Sequence, residues 1–273
     1  MIEKLTKYRT AAHLTPRELR GQCRDGVIDH PTSGYGLGFI QANVVILPHE
    51  LAEDFRWYCE RNPKPCPILE ILEPGNPEPR HSAPGADIRS DVPLYRVFRD
   101  GAIVGDPSNI VDIWRDDLVT FLLGCSFSAE DALLSAGVPM RQFEEGEPRA
   151  AAAYRTNVET EAVGPFSGPL VVTMRAFQPA DADRATEITS QYPMAHGGPV
   201  HRGDPAALGI EDLMQPTYLS PVSLRPNDDF LYWACGATPQ EVIAKSRIPF
   251  AITHKPAHMF FTDVTTESTR ITA

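Results

Sequence analysis

The chain has 273 residues, of which 42% are hydrophobic and 22% charged, a composition typical of a globular protein with a substantial core. Its net charge of −11 argues against nucleic acid or an anionic membrane surface as the main partner, although a local cationic pocket could still bind an anionic substrate. No segment approaches the roughly 18 consecutive apolar residues that a membrane-spanning helix needs.

The cysteines indicate a reducing environment. There are five, at positions 23, 59, 66, 125 and 235, an odd number without a C-x-x-C pair. This usage fits reduced thiols better than a disulfide framework. Residues 1–10 lack the apolar segment of a secretory signal. We therefore expect a cytoplasmic protein.

The first third of the chain predicts a helix, a strand and a second helix. Thr15 can cap a helix that has proline at its first position, glutamate at its third, and Gly21 at its end. Residues 42–47 (ANVVIL) form a continuous apolar run with β-branched residues, which predicts a buried strand. Pro48 then begins a helix with apolar residues at helical spacing.

The middle of the chain predicts two strands and two helices. The strands are expected at 68–72 and 92–98, separated by a proline-rich surface loop over 73–84. Residues 111–123 have apolar positions that suggest a helix. A further helix is predicted to begin at Ser128 and to end at Gly137.

The last third continues the alternation of strands and helices. We expect strands at 170–177 and 250–253, and helices at 181–189 and 238–247, the latter repeating the threonine–proline capping pattern. Such alternation predicts an α/β fold with a mixed sheet and flanking helices. We treat residues 1–273 as one compact α/β unit. A composition shift near 140–165 suggests an inner subdomain over about 140–215.

The loop at 195–204 (AHGGPVHRGD) concentrates reactive side chains. It holds His196, His201, Arg202 and Asp204, spaced by three glycines and a proline. Histidine titrates near physiological pH, and arginine is a fixed cation. We predict that the two histidines and Asp204 are catalytic and that Arg202 binds substrate. The alternative is a turn in which Arg202 pairs with Asp204 and both histidines are solvated.

Two further loops lead into predicted helices. One contains Cys125 and Ser126, and the other contains Gly236 and Thr238. A helix N-terminus offers unpaired N–H groups and the positive end of a dipole, so both loops are candidate sites for a substrate carboxylate. The alternative is ordinary helix capping, with the cysteines buried as small hydrophobic residues.

A third group of candidates lies near the C-terminus. His254 and His258 are four residues apart, and we include both as catalytic candidates, with Lys245 as a substrate-binding candidate. Pro256 disfavours a regular helix between the histidines. A metal held by these two and the histidines of the 195–204 loop remains conceivable. No cysteine pair or H-E-x-x-H motif supports zinc, so we expect no metal. Lys245 has a simpler interpretation as an exposed partner of Glu241.

Four long segments, in the same order, resemble a known family. They are GYGLGFIQANVVILP (34–48), DLVTFLLGCSFSAEDALLSAGVP (117–139), AHGGPVHRGDPAALGI (195–210) and YWACGATPQEVIAKSRIPFAITHKPAHMFFTDV (232–264). They are similar to the hydro-lyase family that includes D-glutamate cyclase, over nearly the whole chain. The resemblance implies an α/β fold with a smaller associated α+β subdomain. It also implies a carbon–oxygen lyase that removes water from a small amino or hydroxy acid, as D-glutamate cyclase does to give 5-oxo-D-proline.

Such a reaction suits the candidate residues. One histidine would act as base and another as acid, while Arg202 and the helix N-termini would hold carboxylates. Asp204 would orient an imidazole or hold the substrate ammonium. We expect a small carboxylic or amino acid as the partner and no cofactor, and the sequence leaves the oligomeric state open, a homodimer included. Two other functions stay open: a metal-dependent hydrolase, and a carboxylate-binding protein without turnover.

Overall fold

The computed structural model describes residues 14–143, 150–221 and 223–271. The predictions for residues 1–10 and part of the composition shift at 140–165 lie outside these ranges. The helices are α1 (Pro16–Arg24), α2 (His49–Arg61), α3 (Glu130–Ser135), α4 (Pro179–Ser190) and α5 (Thr238–Ser246). The strands are β1 (Phe39–Pro48), β2 (Ile68–Ile71), β3 (Tyr95–Arg99), β4 (Ala102–Gly105), β5 (Leu118–Gly124), β6 (Ala153–Glu159), β7 (Pro169–Phe177), β8 (His201–Arg202), β9 (Asp229–Ala234), β10 (Phe250–His254) and β11 (Phe260–Thr265).

The strands form two sheets. The larger has the order β2-β5-β1-β10-β3-β4, and β11 pairs with the first half of β1. The smaller has the order β6-β7-β9-β8. The predicted α/β class is confirmed, and every strand pair recorded among the described residues is antiparallel.

The central strand β1 is buried on both faces. Val44 and Ile46 point to one core, and Val45 and Leu47 point to the other, because successive side chains of a strand alternate. Helices α2 and α5 cover the second face. There the ring of Phe55 meets that of Phe121 edge-on, with centroids 4.9 Å apart. The continuous apolar pattern of this strand is thus explained by two-sided burial.

The first face is covered by loops rather than helices. Residues 73–84, predicted to be a surface loop, belong to a long connection that packs against the sheet, with Ala83 fully buried. Ser82 is also buried and donates its hydroxyl to Glu70 at 2.5 Å. The expectation of a surface excursion is therefore wrong for this part of the loop.

The smaller sheet is also packed on both faces. Met174 of β7 and Tyr232 of β9 lie in one cluster, while Phe177 and Trp233 face helix α4 on the other side. Thr173 and Arg175 share the α4-facing side of β7, since they are spaced by two from Phe177. Thr173 on this face lies close to the ends of strands of the larger sheet.

The predicted helix over 111–123 is wrong. Residues 111–113 form a single 3₁₀ turn, and residues 118–124 form β5, which pairs with β1 from Leu118 opposite Pro48 to Gly124 opposite Ala42. Every residue of β5 is buried. A fully apolar run of this kind does not separate strand from helix by periodicity, and here pairing with β1 decides the conformation.

The other predicted elements lie close to their predicted positions, except that α1 does not end at Gly21 but continues to Arg24. Strands β4, β6, β8, β9 and β11 were not predicted. Thr15 and Glu18 form a complete capping box at α1. Helix α3 begins at Glu130 after a 3₁₀ turn over Ser126–Ala129, and Gly137 follows it with φ of 70°. Ala237, not Thr238, caps α5, because the Thr238 hydroxyl accepts from the amide of Val171 instead. None of the described helices is long and apolar enough to cross a membrane.

Candidate active site

A small cavity lies between the two sheets, where β5, β9 and β10 end. Its volume is about 40 Å³. The side chains that bring chemistry to it are those of Asn43, Cys125, Ser126, Thr173, His196, Tyr218, Cys235 and His254. The structure thus brings together four predicted site residues of distant segments, His196, His254, Cys125 and Ser126, and Gly236 joins them.

His196 enters the cavity from a 3₁₀ turn over Pro193–Ala195. Its side chain is buried, and Nδ1 lies 2.6 Å from the carbonyl oxygen of Lys64. A carbonyl only accepts, so we assign the ring proton to Nδ1, which leaves a lone pair on Nε2. Burial lowers the pKa of His196 to about 4, although the Lys64 contact opposes the shift. The imidazole is therefore neutral at pH 7.

His254 is the last residue of β10 and is also buried. Its Nδ1 lies 3.1 Å from the amide nitrogen of Val44 and 3.3 Å from the carbonyl oxygen of the same residue. The amide can only donate and makes the shorter contact, so we assign Nδ1 as the acceptor and place the proton on Nε2. Burial lowers the pKa of His254 to about 4 as well. In this assignment the two neutral imidazoles carry their protons on opposite ring nitrogens.

Two glycines permit the close packing of the cavity wall. A Cβ on Gly236 would overlap the carboxamide of Asn43, and a Cβ on Gly124 would overlap the backbone carbonyl of Met194. The Asn43 carboxamide donates to the Gly124 carbonyl at 2.7 Å. These contacts join the end of β5 to the turn that carries His196.

Backbone strain concentrates at this cavity. Six described residues other than glycine have positive φ, and three of them, His196, Leu219 and Ala257, line it. Such conformations cost on the order of 1–3 kcal/mol each and cluster at functional sites. The His196 backbone has φ of 71° and ψ of 2° and closes the 3₁₀ turn through its N–H to Pro193.

The cavity is lined by neutral groups, and the nearest charges lie behind its wall. Burial raises the pKa of the Cys125 thiol and of the Cys235 thiol, so both are protonated at pH 7. Arg175 and Glu130 form a buried pair whose closest recorded N···O distance is 3.5 Å. Burial raises the pKa of Glu130, while Arg175 and the Ser33 hydroxyl lower it.

The remaining residues predicted in the 195–204 loop do not reach the cavity. The Arg202 guanidinium lies at the surface between the carboxylates of Asp183 and Asp229. His201 donates from Nε2 to the Asp204 carbonyl, 2.9 Å away, and the Asp204 side chain caps the next 3₁₀ turn by accepting from Ala206. His201 and Arg202 form β8, which pairs with β9 at the edge of the smaller sheet. Arg202 does not pair with Asp204.

Three other predicted site residues also lie elsewhere. Lys245 is exposed and pairs with Glu159 at 3.1 Å, not with Glu241. Thr238 is fully buried, and its hydroxyl accepts a hydrogen bond from the amide of Val171 in β7. His258 is buried beside the cavity segment, but its Nδ1 contacts the Pro256 carbonyl at 2.8 Å and its side chain is not part of the lining. Burial lowers the pKa of His258.

No three His, Cys, Asp or Glu side chains in the described ranges lie close enough together to hold a metal ion. The four histidines considered for a metal are divided between the cavity, β8 and the 256–258 turn. The structure therefore does not assemble them into one site.

Comparison with known proteins identifies the family. A sequence profile described as D-glutamate cyclase matches residues 119–263. A Bordetella petrii protein named "Putative hydro-lyase" is 49% identical over 250 residues, which cover 92% of this chain and 94% of the relative. The chain belongs to the D-glutamate cyclase family. A Stutzerimonas stutzeri protein of the same name is 48% identical over 263 residues, covering 96% of this chain and 97% of the relative.

Among solved structures, a nitrogen repressor-like protein from Methanococcus jannaschii aligns with 85% of this chain and 90% of its own. The TM-score is 0.38 and the sequence identity 9%, a likeness too weak to bear on the fold or the function. The family membership consequently rests on sequence, and the site within this D-glutamate cyclase family member rests on its own geometry.

Our sequence interpretation missed four polar residues at or beside the cavity, namely Asn43, Thr173, Arg175 and Tyr218. Asn43 interrupts the apolar run of β1, and Arg175 interrupts that of β7. A polar residue inside a buried strand is a signal that can be read from sequence. Tyr218 gives no such signal, because it lies in a loop and reaches the cavity through a bridge to Ala153.

Proposed function

We propose that this protein is a hydro-lyase of the D-glutamate cyclase type, which converts D-glutamate into 5-oxo-D-proline and water. The observation that carries the proposal is the pair of buried histidines, His196 and His254, that line one cavity; we assign their protons to opposite ring nitrogens. A base and an acid are the two groups that this reaction requires. The family membership supports the choice of D-glutamate.

In the reaction the substrate amine attacks the carbon of its own γ-carboxyl group. One C–N bond forms, one C–O bond breaks, two protons leave the nitrogen, and two protons reach the departing oxygen, which leaves as water. Because nucleophile and electrophile belong to one molecule, the protein needs mainly to supply proton transfers and a suitable conformation. Each positioned proton-transfer group contributes about 10²- to 10⁴-fold in rate.

We assign the base to His196. Its Nε2 carries a lone pair, and no hydrogen-bond partner for this atom is recorded among the residues that the structure describes. With a pKa of about 4, nearly every molecule has this lone pair free at pH 7. An anionic substrate in the cavity would raise that pKa toward neutrality, since a nearby negative charge favours the imidazolium.

We assign the hydrogen-bond donor to His254. Its Nδ1 already accepts from Val44, so the neutral ring presents Nε2–H as a donor. This donor would hydrogen-bond the γ-carboxyl oxygen and polarise the C–O bond, while the imidazolium formed on His196 would deliver the protons taken from the nitrogen to the departing oxygen. The Asn43 carboxamide, held by the Gly124 carbonyl, would orient the substrate amine through its Oδ1.

The test is incubation of the purified protein with D-glutamate and L-glutamate, with mass spectrometry to detect the loss of one water and chiral chromatography to identify the product. We expect 5-oxo-D-proline from D-glutamate. His196→Gln and His254→Gln should each lower kcat/KM by about 10²-fold or more while circular dichroism shows a folded protein.

His258→Gln is the matched control, because His258 is a buried histidine of the same region whose side chain does not line the cavity. It should retain activity. No loss of water from any member of a panel of small amino and hydroxy acids would contradict the proposal. Stabilisation by such an acid without chemical change would instead indicate a carboxylate-binding protein.

A further inference from the structure

Arg175 differs from the other arginines of this chain in how its guanidinium is used. Several of them bind a carboxylate through the fork formed by Nε and Nη2, at distances between 2.8 and 3.1 Å. The pairs are Arg24–Asp91, Arg89–Asp87, Arg96–Asp106, Arg115–Asp117 and Arg155–Glu241. This is the geometry in which guanidinium and carboxylate match best.

The same fork of Arg175 is nearly empty. Its Nη2 makes only long contacts, 3.4 Å to Ser126 Oγ and 3.5 Å to Glu130 Oε1. Its Nε is buried and has no hydrogen-bond partner in the described part of the chain. The side chain is 4% exposed, so bulk solvent does not reach the fork freely. A buried guanidinium in this state is unsatisfied and would be stabilised by a second anion.

The fork lies directly behind the cavity wall. Ser126 lines the cavity, and its hydroxyl is the one in contact with Nη2. Thr173 also lines the cavity and is two residues before Arg175 on the same face of β7. The Ser126 hydroxyl therefore links the cavity lining to the Arg175 guanidinium.

We propose that Arg175 binds the non-reacting carboxylate of the substrate, and that the enzyme thereby selects amino acids that carry a carboxylate on the carbon bearing the amine. The proposal rests on the proposed function and deepens it. For D-glutamate this group is the α-carboxylate. Glu130, which accepts from the Ser33 hydroxyl and the Gly34 amide, lies 3.5 Å from Nη2 and keeps a negative charge beside the guanidinium. The ring of Trp233, 5.4 Å away, supports its face.

The first experiment compares D-glutamate with 4-aminobutanoate, which has the same amine and γ-carboxylate but no α-carboxylate. Both can close the same five-membered lactam ring with loss of one water. The wild-type protein should prefer D-glutamate. Arg175→Lys keeps the buried charge but loses the fork, and it should lower the ratio of the two kcat/KM values by about 10- to 100-fold. The kcat/KM for D-glutamate should decrease, and the kcat/KM for 4-aminobutanoate should stay the same.

Arg20→Lys is the matched control. Arg20 is equally buried, but both of its Nη atoms make hydrogen bonds of 2.9–3.0 Å to Asp263 and the Phe261 carbonyl. Its replacement should lower stability and leave the substrate ratio unchanged. An unchanged ratio in Arg175→Lys would overturn the proposal.

The second experiment does not depend on turnover. Glutarate is a five-carbon dicarboxylate without an amine, and it should raise the Tm of the wild-type protein. Its Kd should increase about 10- to 100-fold in Arg175→Lys. Equal binding of glutarate by both proteins, or no binding by the wild type, would contradict the carboxylate site.

The two experiments separate the two proposals. If the wild-type protein converts neither substrate, the proposed function fails, and glutarate binding still decides the role of Arg175. If Arg175→Lys does not fold, the double variant Arg175→Gln with Glu130→Gln removes both buried charges together and leaves neither unpaired. The same loss of glutarate affinity is expected from it.

Discussion

Lys64 binds the loop that carries His196 through two groups at once. Its carbonyl oxygen lies 2.6 Å from Nδ1 of His196, and its Nζ donates to the carbonyl of Gly198 at 3.0 Å. The backbone contact orients the imidazole, and the side-chain contact holds the loop two residues further on. Positioning of a catalytic group by its neighbours is a general requirement for efficient proton transfer.

Lys64→Met should separate these two contacts, because it removes Nζ and leaves the carbonyl that orients His196. The Gly198 contact is exposed, so we expect a change of less than about 1 kcal/mol in the free energy of unfolding. Activity should fall only severalfold, far less than in His196→Gln. The measurement is kcat/KM together with denaturant unfolding. A loss as large as that of His196→Gln would mean that the loop, and not the carbonyl, determines the ring position.

Replacement of the surface cations should leave catalysis intact. Arg202 is held by Asp183 and Asp229 at the surface, and Lys245 pairs with exposed Glu159. Exposed ion pairs contribute about 0–1 kcal/mol each. Arg202→Ala and Lys245→Ala should therefore retain nearly full kcat/KM on the true substrate and unfold at similar denaturant concentrations. A large rise in KM for Arg202→Ala would instead place that guanidinium at the substrate.

The positions of these residues in the structure show how much of the site could be predicted from the sequence. The glycine-rich loop drew attention to His196, Arg202 and their neighbours, but a loop's composition does not say which way each side chain faces. The backbone has positive φ at His196 and Gly197, and the His196 side chain is buried whereas Arg202, six residues later, is exposed. The direction depends on Lys64 and Met194, and the Lys64 contact spans 132 residues.

Arg175 illustrates the same limit. Its position inside a buried strand is visible in the sequence. Its unsatisfied fork depends on the long contact with Glu130, a residue 45 positions earlier in the chain, and the sequence does not reveal that contact. More of the fold than of the site could be predicted from the sequence. Capping at Thr15 and the apolar run of β1 are local signals and gave the correct elements. The run at 118–124 failed because only its pairing with β1 distinguishes strand from helix.

The cavity wall should not tolerate a methyl group at Gly236. A Cβ there would overlap the Asn43 carboxamide, which also holds the Gly124 carbonyl. Overpacking of this kind costs about 1–3 kcal/mol, so Gly236→Ala should lower the free energy of unfolding by that amount and reduce activity. Gly21→Ala is the control, because nothing lies within 4 Å of its Cβ position in α1. It should stabilise the protein by about 0.5–1 kcal/mol. Equal effects of the two substitutions would contradict the close packing.

The two cavity histidines should make stability depend on pH between about 6.5 and 4. In the unfolded chain a histidine has a pKa of about 6.5, whereas in the folded protein burial lowers the pKa of each of these two to about 4. Below pH 6.5 the unfolded chain takes up protons that the folded protein does not, so the free energy of unfolding decreases as the pH falls. Below about pH 4 the folded protein is protonated too, and the decrease from these groups ends. The loss amounts to about 3 kcal/mol per histidine.

Denaturant unfolding at several pH values between 7 and 4 measures this effect as a slope. His196→Gln and His254→Gln should each reduce the slope by about one proton relative to the wild type, whatever their effect on stability at pH 7. His81→Gln is the control, because that side chain is exposed in the folded protein as it is in the unfolded chain. Its slope should match the wild type. The carboxylates contribute equally to all four proteins, so an unchanged slope in both cavity variants would show that the two imidazoles are not held neutral in the folded state.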